Sequence, residues 1–339
     1  MRQKPKIFVY ITILQHIMEL DLTDRKILYH LDLNSRQSFS QIGKKLGIHK
    51  DVVARRVKKL FDNGIIKFIT CTNDYKLGFF YLRFCFTYQY VTPEIKNKII
   101  DYFVNNKYAV TVIESEGPCD LIAIMAVKNA PVFYPMWYNI FSKYRDFFSN
   151  LAVSIYCEVI EYKYSFLLDE KEQKKEDRVW FKRYDDGILV TLDDVDYKIL
   201  RLLNNNARVP TIEIAKKLNT TVDTIQNRIQ KLIKSRVILG FRITIDYSKI
   251  GYQLYRLQIF LKDHTQVKNI IDYIESNPNL VRRIVSLGNV DLEFMFFFQN
   301  LTELNNVMND LSSKFPGAIK NYSYITHTKT YKYQYSPDE

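Results

Sequence analysis

The segment from Lys44 to Lys67, KKLGIHKDVVARRVKKLFDNGIIK, concentrates cationic side chains at helical spacing. The pattern predicts a short helix that ends at Leu46, a tight turn over Gly47-Ile48, and a second helix from about Lys50 to Phe61. Apolar and cationic residues of the second helix fall on opposite faces, which is the form of a recognition helix that enters a DNA major groove. A lysine-rich surface helix without a partner is the alternative. The apolar face is Val53, Val57 and Leu60, and the cationic face is Lys50, Arg55, Lys58 and Lys59.

A second version of this segment, KKLNTTVDTIQNRIQKLIKSRVIL, begins 172 positions later. Residues 20–66 align with residues 192–238 without a gap and share 18 identities in 47 positions. Duplication of a whole module explains this best. The identical pairs include Leu20/Leu192, Asp21/Asp193, Asp24/Asp196, Ile27/Ile199, Leu28/Leu200, Leu31/Leu203, Arg36/Arg208, Ile42/Ile214, Leu46/Leu218, Arg56/Arg228, Leu60/Leu232 and Ile66/Ile238.

DNA contacts are predicted on the exposed faces of both recognition helices and in the turns before them. In the first copy Lys50, Ala54 and Arg55 are placed to face bases, and in the second the amides of Gln226 and Asn227 can bond adenine edges. The paired Arg56 and Arg228 fit a phosphate contact or an ion pair with an acid of the first helix instead. The complete predicted set is Lys44, Lys45, His49, Lys50, Arg55, Arg56, Lys58, Lys59, Thr221, Gln226, Asn227, Arg228 and Lys231.

Length and composition narrow the class of protein. The 339 residues leave room for two to four domains, and 47% hydrophobic residues suffice for real cores. The net charge of +12 favours a polyanion or an anionic membrane surface as partner, with a generally lysine-biased composition as the alternative. Four cysteines without C-x-x-C spacing and five scattered histidines give no metal signature and indicate a reduced, cytoplasmic setting. Without a catalytic triad, P-loop or dinucleotide fingerprint, we predict a binding protein that needs no cofactor.

The N-terminal residues 1–19 imitate a signal peptide, because basic residues precede the apolar run Ile7–Met18. Gln15 and His16 interrupt that run, and no small-residue cleavage site follows it. Twelve residues are also too few to span a bilayer. We predict an extension that packs on the first module as a strand or a helix, with a misassigned start codon as the alternative.

The periodicity after Phe68 predicts the element order β-α-β-β-α-β, and the same order recurs after the second helical module. Such a unit forms a four-stranded antiparallel sheet with two helices on one face. The segment DEKEQKKEDR, residues 169–178, is highly charged and has no apolar residue, which predicts a linker or an exposed helical turn. The predicted fold class is α+β, in two tandem units of a three-helix helix-turn-helix module and a ferredoxin-like domain. The predicted divisions are 20–68, 69–168, the linker 169–190, 191–240 and 241–335.

The ordered motifs together resemble the Lrp/AsnC family of feast/famine transcription regulators. They are LDxxDxxILxxL, an arginine, the helix-turn-helix with Arg-Val or Arg-Ile, a G-(V/I)-I ending, and G-x-x-D in the following domain. The resemblance implies double-stranded DNA as partner and an amino acid or related small metabolite bound near the G-x-x-D loops. A usual member gains its second unit by dimerising, so this chain is expected to form an intrachain pseudo-dimer or a homo-oligomer. The implied ligand-binding residues are Gly117, Asp120, Gly288 and Asp291, although both aspartates also fit solvated turns.

Two departures and two alternative functions accompany that resemblance. The second unit has Asn219 and Arg236 where the first has Gly47 and Gly64, so its turns are expected to differ slightly. Some proteins of this architecture resemble sirohaem decarboxylases, whose chemistry needs histidine, arginine and tyrosine beside the tetrapyrrole carboxylates. The second and third strands of both ferredoxin-like domains lack histidine, which argues against that enzyme. The other alternative is a ligand-sensing co-regulator whose helical modules are structural.

Overall fold

The computed structural model describes residues 17–173 and 177–334. The predicted N-terminal extension therefore lies almost wholly outside the described residues. Two helix-turn-helix modules and two ferredoxin-like units follow each other along the chain, which confirms the predicted α+β class and its tandem organisation. Within the described ranges, no helix is both long and apolar enough to cross a bilayer.

The first helical module contains α1 (Leu22–Leu33), α2 (Phe39–Leu46) and α3 (Lys50–Asp62). The side chain of Asp21 caps α1 by accepting from the backbone N–H of Asp24 at 2.7 Å. Ser38 and Gln41 form a capping box at the start of α2. Ile27, Leu31, Ile42, Val53 and Leu60 are fully buried between the three helices.

The second helical module repeats this arrangement with α6 (Asp194–Asn205), α7 (Thr211–Lys217) and α8 (Val222–Lys234). The expectation that its turns differ is wrong. Asn219 and Arg236 adopt φ angles of 51° and 60°, in the same left-handed region as Gly47 and Gly64 at 68° and 63°. The fold of the module therefore imposes this conformation even where a side chain makes it less favourable.

A strand follows each helical module, and the two strands pair with each other. β1 (Ile66–Thr72) and β7 (Ile238–Ile245) run antiparallel, with Ile69 opposite Arg242. This ribbon was not predicted from the sequence. It joins the two modules back to back, because α1 packs on β7 and α6 packs on β1.

Each ferredoxin-like unit has its first strand beside its third and fourth, the order expected for β-α-β-β-α-β connectivity. The first unit packs its helices on the outer face through Ile99, Phe103 and Ile140. Its elements are β2 (Phe80–Tyr88), α4 (Pro93–Val104), β3 (Ala109–Glu116), β4 (Leu121–Val127), α5 (Ala130–Tyr144) and β5 (Phe148–Tyr162). Those of the second are β8 (Gln253–Leu261), α9 (Val267–Glu275), β9 (Leu280–Leu287), β10 (Leu292–Phe298), α10 (Leu301–Lys314) and β11 (Ile319–Tyr333).

The two sheets join edge to edge within one chain. β11 pairs with β3 and β5 pairs with β9, so that eight antiparallel strands form a closed ring whose inner faces meet. This arrangement removes all four sheet edges that separate units would expose. The predicted linker 169–190 contains a further strand, β6 (Val179–Tyr184), which pairs with the end of β5. The remaining domain boundaries stay predictions.

Candidate nucleic-acid interface and central cavity

The recognition helices present the predicted basic and amide side chains on exposed surface. Lys50, Arg55 and Lys59 are exposed on α3, while Val53 and Val57 face the core. Gln226, Asn227 and Lys231 are exposed on α8, and Lys44 and Lys45 are exposed at the end of α2. Lys44, Lys45 and Lys50 thus lie at the ends of α2 and α3 that flank the turn between these helices. Their contact with DNA remains a prediction.

The N-terminal ends of α3 and α8 are also open to solvent. His49 caps α3 through its Nδ1, which lies 3.4 Å from the backbone nitrogen of Asp51. Thr221 caps α8 by accepting from the backbone N–H of Thr224 at 3.1 Å. A helix N-terminus carries partial positive charge and unpaired N–H groups, so both ends suit a phosphate.

Arg56 and Arg228 have a structural role in each module. The Nη1 of Arg56 lies 2.6 Å from Asp21 and 2.8 Å from Asp24, and Arg228 contacts Asp193 and Asp196 at 2.8 Å each. The hydrogen bond to Asp24 raises the pKa of Arg56 further, and the bonds to Asp193 raise that of Arg228. Of the two predicted roles, the ion pair with a first-helix acid is the one formed, and it fastens the recognition helix to the first helix.

A symmetric pair of arginines links the two modules. The Nη1 of Arg36 donates to the backbone oxygen of Ala207 at 2.7 Å, and the Nη1 of Arg208 donates to the backbone oxygens of Ser35 and Gln37. Arg36 also lies over the ring of Phe241. The sequence signal for these residues was their identity in both copies, but their role needed the structure.

The G-x-x-D loops lie on the seams between the two units. The Oδ2 of Asp120 accepts from the backbone N–H of Tyr88 at 2.7 Å, and that of Asp291 accepts from the backbone N–H of Leu261 at 2.7 Å. A Cβ on Gly117 would lie 2.5 Å from the backbone oxygen of Tyr324 in the opposite unit. Gly288 similarly approaches Ser154. These contacts give the two glycines and the two aspartates a structural role. The implied ligand contact at the four positions stays a prediction.

A cavity of about 1110 Å³ lies between the ring of strands and the β1–β7 ribbon, with α6 along one side. Its floor carries His327, Arg256 and Arg282 among apolar residues such as Ile113 and Met295. This site was not predicted from the sequence, because its residues come from separate strands and share no local spacing.

A buried charge cluster supports the cavity floor. Arg83 and Arg256 stand five residues after Gly78 and Gly251, at equivalent places in the two units, and both contact Glu293. The position of the first unit that is equivalent to Glu293 is occupied by the apolar Ile122. Burial pushes the pKa of Glu293 upward, but the two guanidiniums outweigh it and hold that pKa at about 2. Two buried cations therefore share this one anion.

Similarity to a known domain family is found once in each of the two tandem units. The AsnC-type helix-turn-helix domain matches residues 20–60 and again residues 192–233. An uncharacterised HTH-type transcriptional regulator of Pyrococcus abyssi is 32% identical over 122 residues, which cover 36% of this chain and 83% of that protein. Regulatory protein AsnC of Haemophilus influenzae is 31% identical over 118 residues, covering 34% of this chain and 79% of that protein.

A likeness over nearly the whole chain is found among solved structures. The crystal structure of the siroheme decarboxylase NirDL matches with a TM-score of 0.60 at 13% identity, covering 93% of both chains. The same enzyme in complex with an iron-uroporphyrin III analogue matches with a TM-score of 0.59 at 13% identity, over 93% of this chain and 95% of that one. At this identity the likeness concerns the fold. By its two AsnC-type domains and its regulator relatives, the chain belongs to the Lrp/AsnC family of transcriptional regulators and carries two family units in tandem.

Proposed function

We propose that this protein is a sequence-specific DNA-binding transcriptional regulator that acts in the cytoplasm and reads two half-sites with α3 and α8 of a single chain. The observation that carries the proposal is the exposed basic and amide face of both recognition helices, held by equivalent ion pairs at Arg56 and Arg228. The relatives named above are regulators, which supports the same conclusion. The pairing of the two modules through the β1–β7 ribbon supports the reading of two half-sites on one duplex.

The effector of such a regulator is proposed to be a small metabolite. An amino acid at the Gly117–Asp120 and Gly288–Asp291 loops rests on the family resemblance alone. Both loop carboxylates already accept backbone hydrogen bonds, so a ligand there would use their remaining oxygen lone pairs.

The test of DNA binding is a selection from random duplex DNA with the full chain, followed by anisotropy titration of the enriched sequence. Lys50→Ala with Arg55→Ala should weaken binding at least tenfold. Lys98→Ala with Lys143→Ala removes the same formal charge from exposed lysines of α4 and α5 and should leave affinity near the unmodified value. No enriched sequence, or equal losses in both double variants, would reject sequence-specific binding by α3.

A decarboxylase-like enzyme is the second candidate, and one observation favours it. His327, Arg256, Arg282 and Tyr333 line the central cavity, which is the combination of residue types that this chemistry needs. His327 lies on the fourth strand, β11, and was therefore not covered by the expectation based on the second and third strands. Absorbance titration with iron uroporphyrin, with product analysis of released CO2, tests this candidate. A spectral change with CO2 release would support it, and an unchanged spectrum would reject it.

A further inference from the structure

The two repeats of the chain form two related spaces, and the central cavity is the one that is open. Residues 172 positions apart occupy equivalent places in the β1–β7 ribbon and the helices against it. On the filled side Arg242 lies 2.6 Å from the Oδ1 of Asp32 and stacks on Tyr164. Their equivalents on the cavity side are Thr70 and Asn204. The duplicated fold thus fills one of two related spaces and leaves the other open.

The linker contributes to the same difference. Trp180 of β6 packs against Gly240, where a Cβ would not fit. The equivalent of Gly240 is Phe68, which is among the residues that line the cavity. The filled side therefore uses an arginine, a carboxylate and a tryptophan of the chain itself, whereas the cavity side offers the corresponding space to a ligand.

Polar atoms without a partner point to what that ligand is. His327 is 6% exposed, and within residues 17–173 and 177–334 its Nε2 makes no hydrogen bond. The same holds for the Nε of Arg256 and the Oδ1 of Asn204, which line the same cavity. Buried polar atoms are normally satisfied, so the unpartnered nitrogens of His327 and Arg256, which can each donate, leave room for an acceptor, whereas the Oδ1 of Asn204 would take a donor.

The local backbone of β11 also distinguishes this place. The register with β3 shifts between His327 and Lys329, so that Thr328 is an extra residue directly after the histidine. Bulges of this kind redirect a side chain and are common beside binding sites. His327 and Thr328 both line the cavity.

The charge of the lining is positive, and much of its surface is apolar. Six lysines and arginines face the cavity against three carboxylates. Arg256 is 1% exposed, whereas Lys67, Lys198, Arg201 and Lys329 form an exposed rim. Between floor and rim lie Ile113, Leu254, Val281, Met295 and Phe297. An anion with an apolar body would satisfy both the cationic ends and the apolar wall.

We propose that this cavity is an effector site for an amphipathic organic anion that carries carboxylates on an apolar body larger than a single amino-acid side chain. His327 and Arg256 at the floor bind one carboxylate, and Lys198 and Arg201 of α6 attract a second at the rim. Because α6 belongs to the second helix-turn-helix module, occupancy links the ring of strands to that module. The effector role rests on the proposed DNA-binding function, while the binding site does not.

The first experiment measures binding by equilibrium dialysis with 2,6-naphthalenedicarboxylate, the neutral 2,6-naphthalenedimethanol and inorganic phosphate. We expect one dicarboxylate per full-length chain, bound at least tenfold more tightly than the diol or phosphate. No dicarboxylate binding at millimolar concentration would overturn the site. Equal binding of phosphate or of the diol would overturn the proposed ligand class.

Two variants locate the bound probe. Thr70→Arg with Asn204→Asp places on the cavity side the pair that fills the other side, and should abolish dicarboxylate binding. His327→Gln preserves a polar side chain of similar size and should weaken binding at least tenfold, which keeps the test valid if the double variant does not fold. His264→Gln, which changes an exposed histidine outside the cavity, should bind like the unmodified protein. Undiminished binding by the two cavity variants would place the probe elsewhere and overturn the proposal.

The second experiment measures operator affinity with and without saturating dicarboxylate. A change of at least fivefold that disappears in the Thr70→Arg, Asn204→Asp protein supports the effector role. An operator affinity that does not respond to bound dicarboxylate overturns that role. Dicarboxylate binding without any operator binding would refute the proposed DNA-binding function and the effector role, while leaving the cavity site established.

Discussion

Arg36 and Arg208 occupy the same place in the two repeats, and each donates a guanidinium hydrogen bond to the backbone of the other helical module. Together with the β1–β7 ribbon they fix how the two recognition helices stand relative to each other. Two DNA-reading surfaces that are held rigidly bind one duplex with less loss of conformational freedom than two surfaces on a flexible tether.

Arg36→Ala and Arg208→Ala are therefore expected to loosen the paired modules. Each loss of a charged donor to a half-buried carbonyl should lower the free energy of unfolding by about 1–3 kcal/mol. Affinity for a duplex with both half-sites should fall, whereas affinity for a single half-site should not change. Urea denaturation and anisotropy on the two duplexes measure these effects, with Lys98→Ala as the control. Equal losses on both duplexes would show that the arginines do not set the spacing.

The ion pairs of Arg56 and Arg228 lead to a prediction about stability. Arg56→Ala leaves Asp24, which is buried within α1, without its cation, so the midpoint of urea denaturation should fall. The salt dependence of DNA affinity should stay unchanged, because a guanidinium held by two carboxylates neutralises no phosphate. A salt slope reduced by about one, without loss of stability, would instead identify a phosphate contact.

The two recognition regions differ in charge. From Lys44 to Lys59 there are seven lysines and arginines against one acid, and from Lys216 to Lys231 there are four against one. Each count includes one arginine that is paired within its module, so leaving these two arginines out does not change the difference between the counts. The first module should therefore show the steeper salt dependence, by roughly one unit of slope per additional phosphate contact. Lys50→Ala with Arg55→Ala should reduce the slope, and Gln226→Ala with Asn227→Ala should lower affinity at an unchanged slope. Identical slopes in these two proteins would show that the asymmetry has no role in binding.

The carboxylate of Asp120 is expected to stabilise the fold whether or not a ligand binds at its loop. Asp120→Ala removes the acceptor of the Tyr88 N–H bond and should lower the free energy of unfolding by about 1 kcal/mol. Differential scanning fluorimetry with each amino acid, on unmodified protein and on Asp120→Ala and Asp291→Ala, separates the roles. A thermal shift with an amino acid that both variants lose would establish the ligand contact implied by the family resemblance.

The buried imidazole of His327 makes stability depend on pH. Burial, and then the nearby Arg256 and Arg282, hold the pKa of His327 well below its ordinary value, with Glu293 opposing them. In the unfolded chain a histidine titrates near 6.5, so below that pH the unfolded state binds a proton that the folded state does not. The free energy of unfolding should fall with decreasing pH by up to about 1.4 kcal/mol per pH unit.

His327→Gln should flatten this decline, as measured by urea denaturation between pH 7 and pH 5. His264→Gln, which changes an exposed histidine of the same unit, is the matched control. An unchanged pH dependence in His327→Gln would show that this imidazole does not control the decline.

The sequence by itself determined the local elements and their duplication. Helix caps such as Asp21 and Ser38 act within three residues, and the stripe of Val53, Val57 and Leu60 selects the buried face of α3 wherever the helix is placed. The β-α-β-β-α-β order of both units was predicted for the same reason, since alternation is a local property. The helix-turn-helix residues and the family followed from ordered spacing that occurs twice.

The tertiary structure decided whatever depends on residues that are far apart in the sequence. The pairing of β1 with β7, the ring closed through β3–β11 and β5–β9, and the reciprocal bonds of Arg36 and Arg208 join segments more than 100 positions apart. No local periodicity encodes such pairings. The central cavity depends on a still finer difference, because the same fold is filled by Arg242 and Asp32 on one side and left open at Thr70 and Asn204 on the other. Only the packing of all these segments together makes that difference a space that a ligand can occupy.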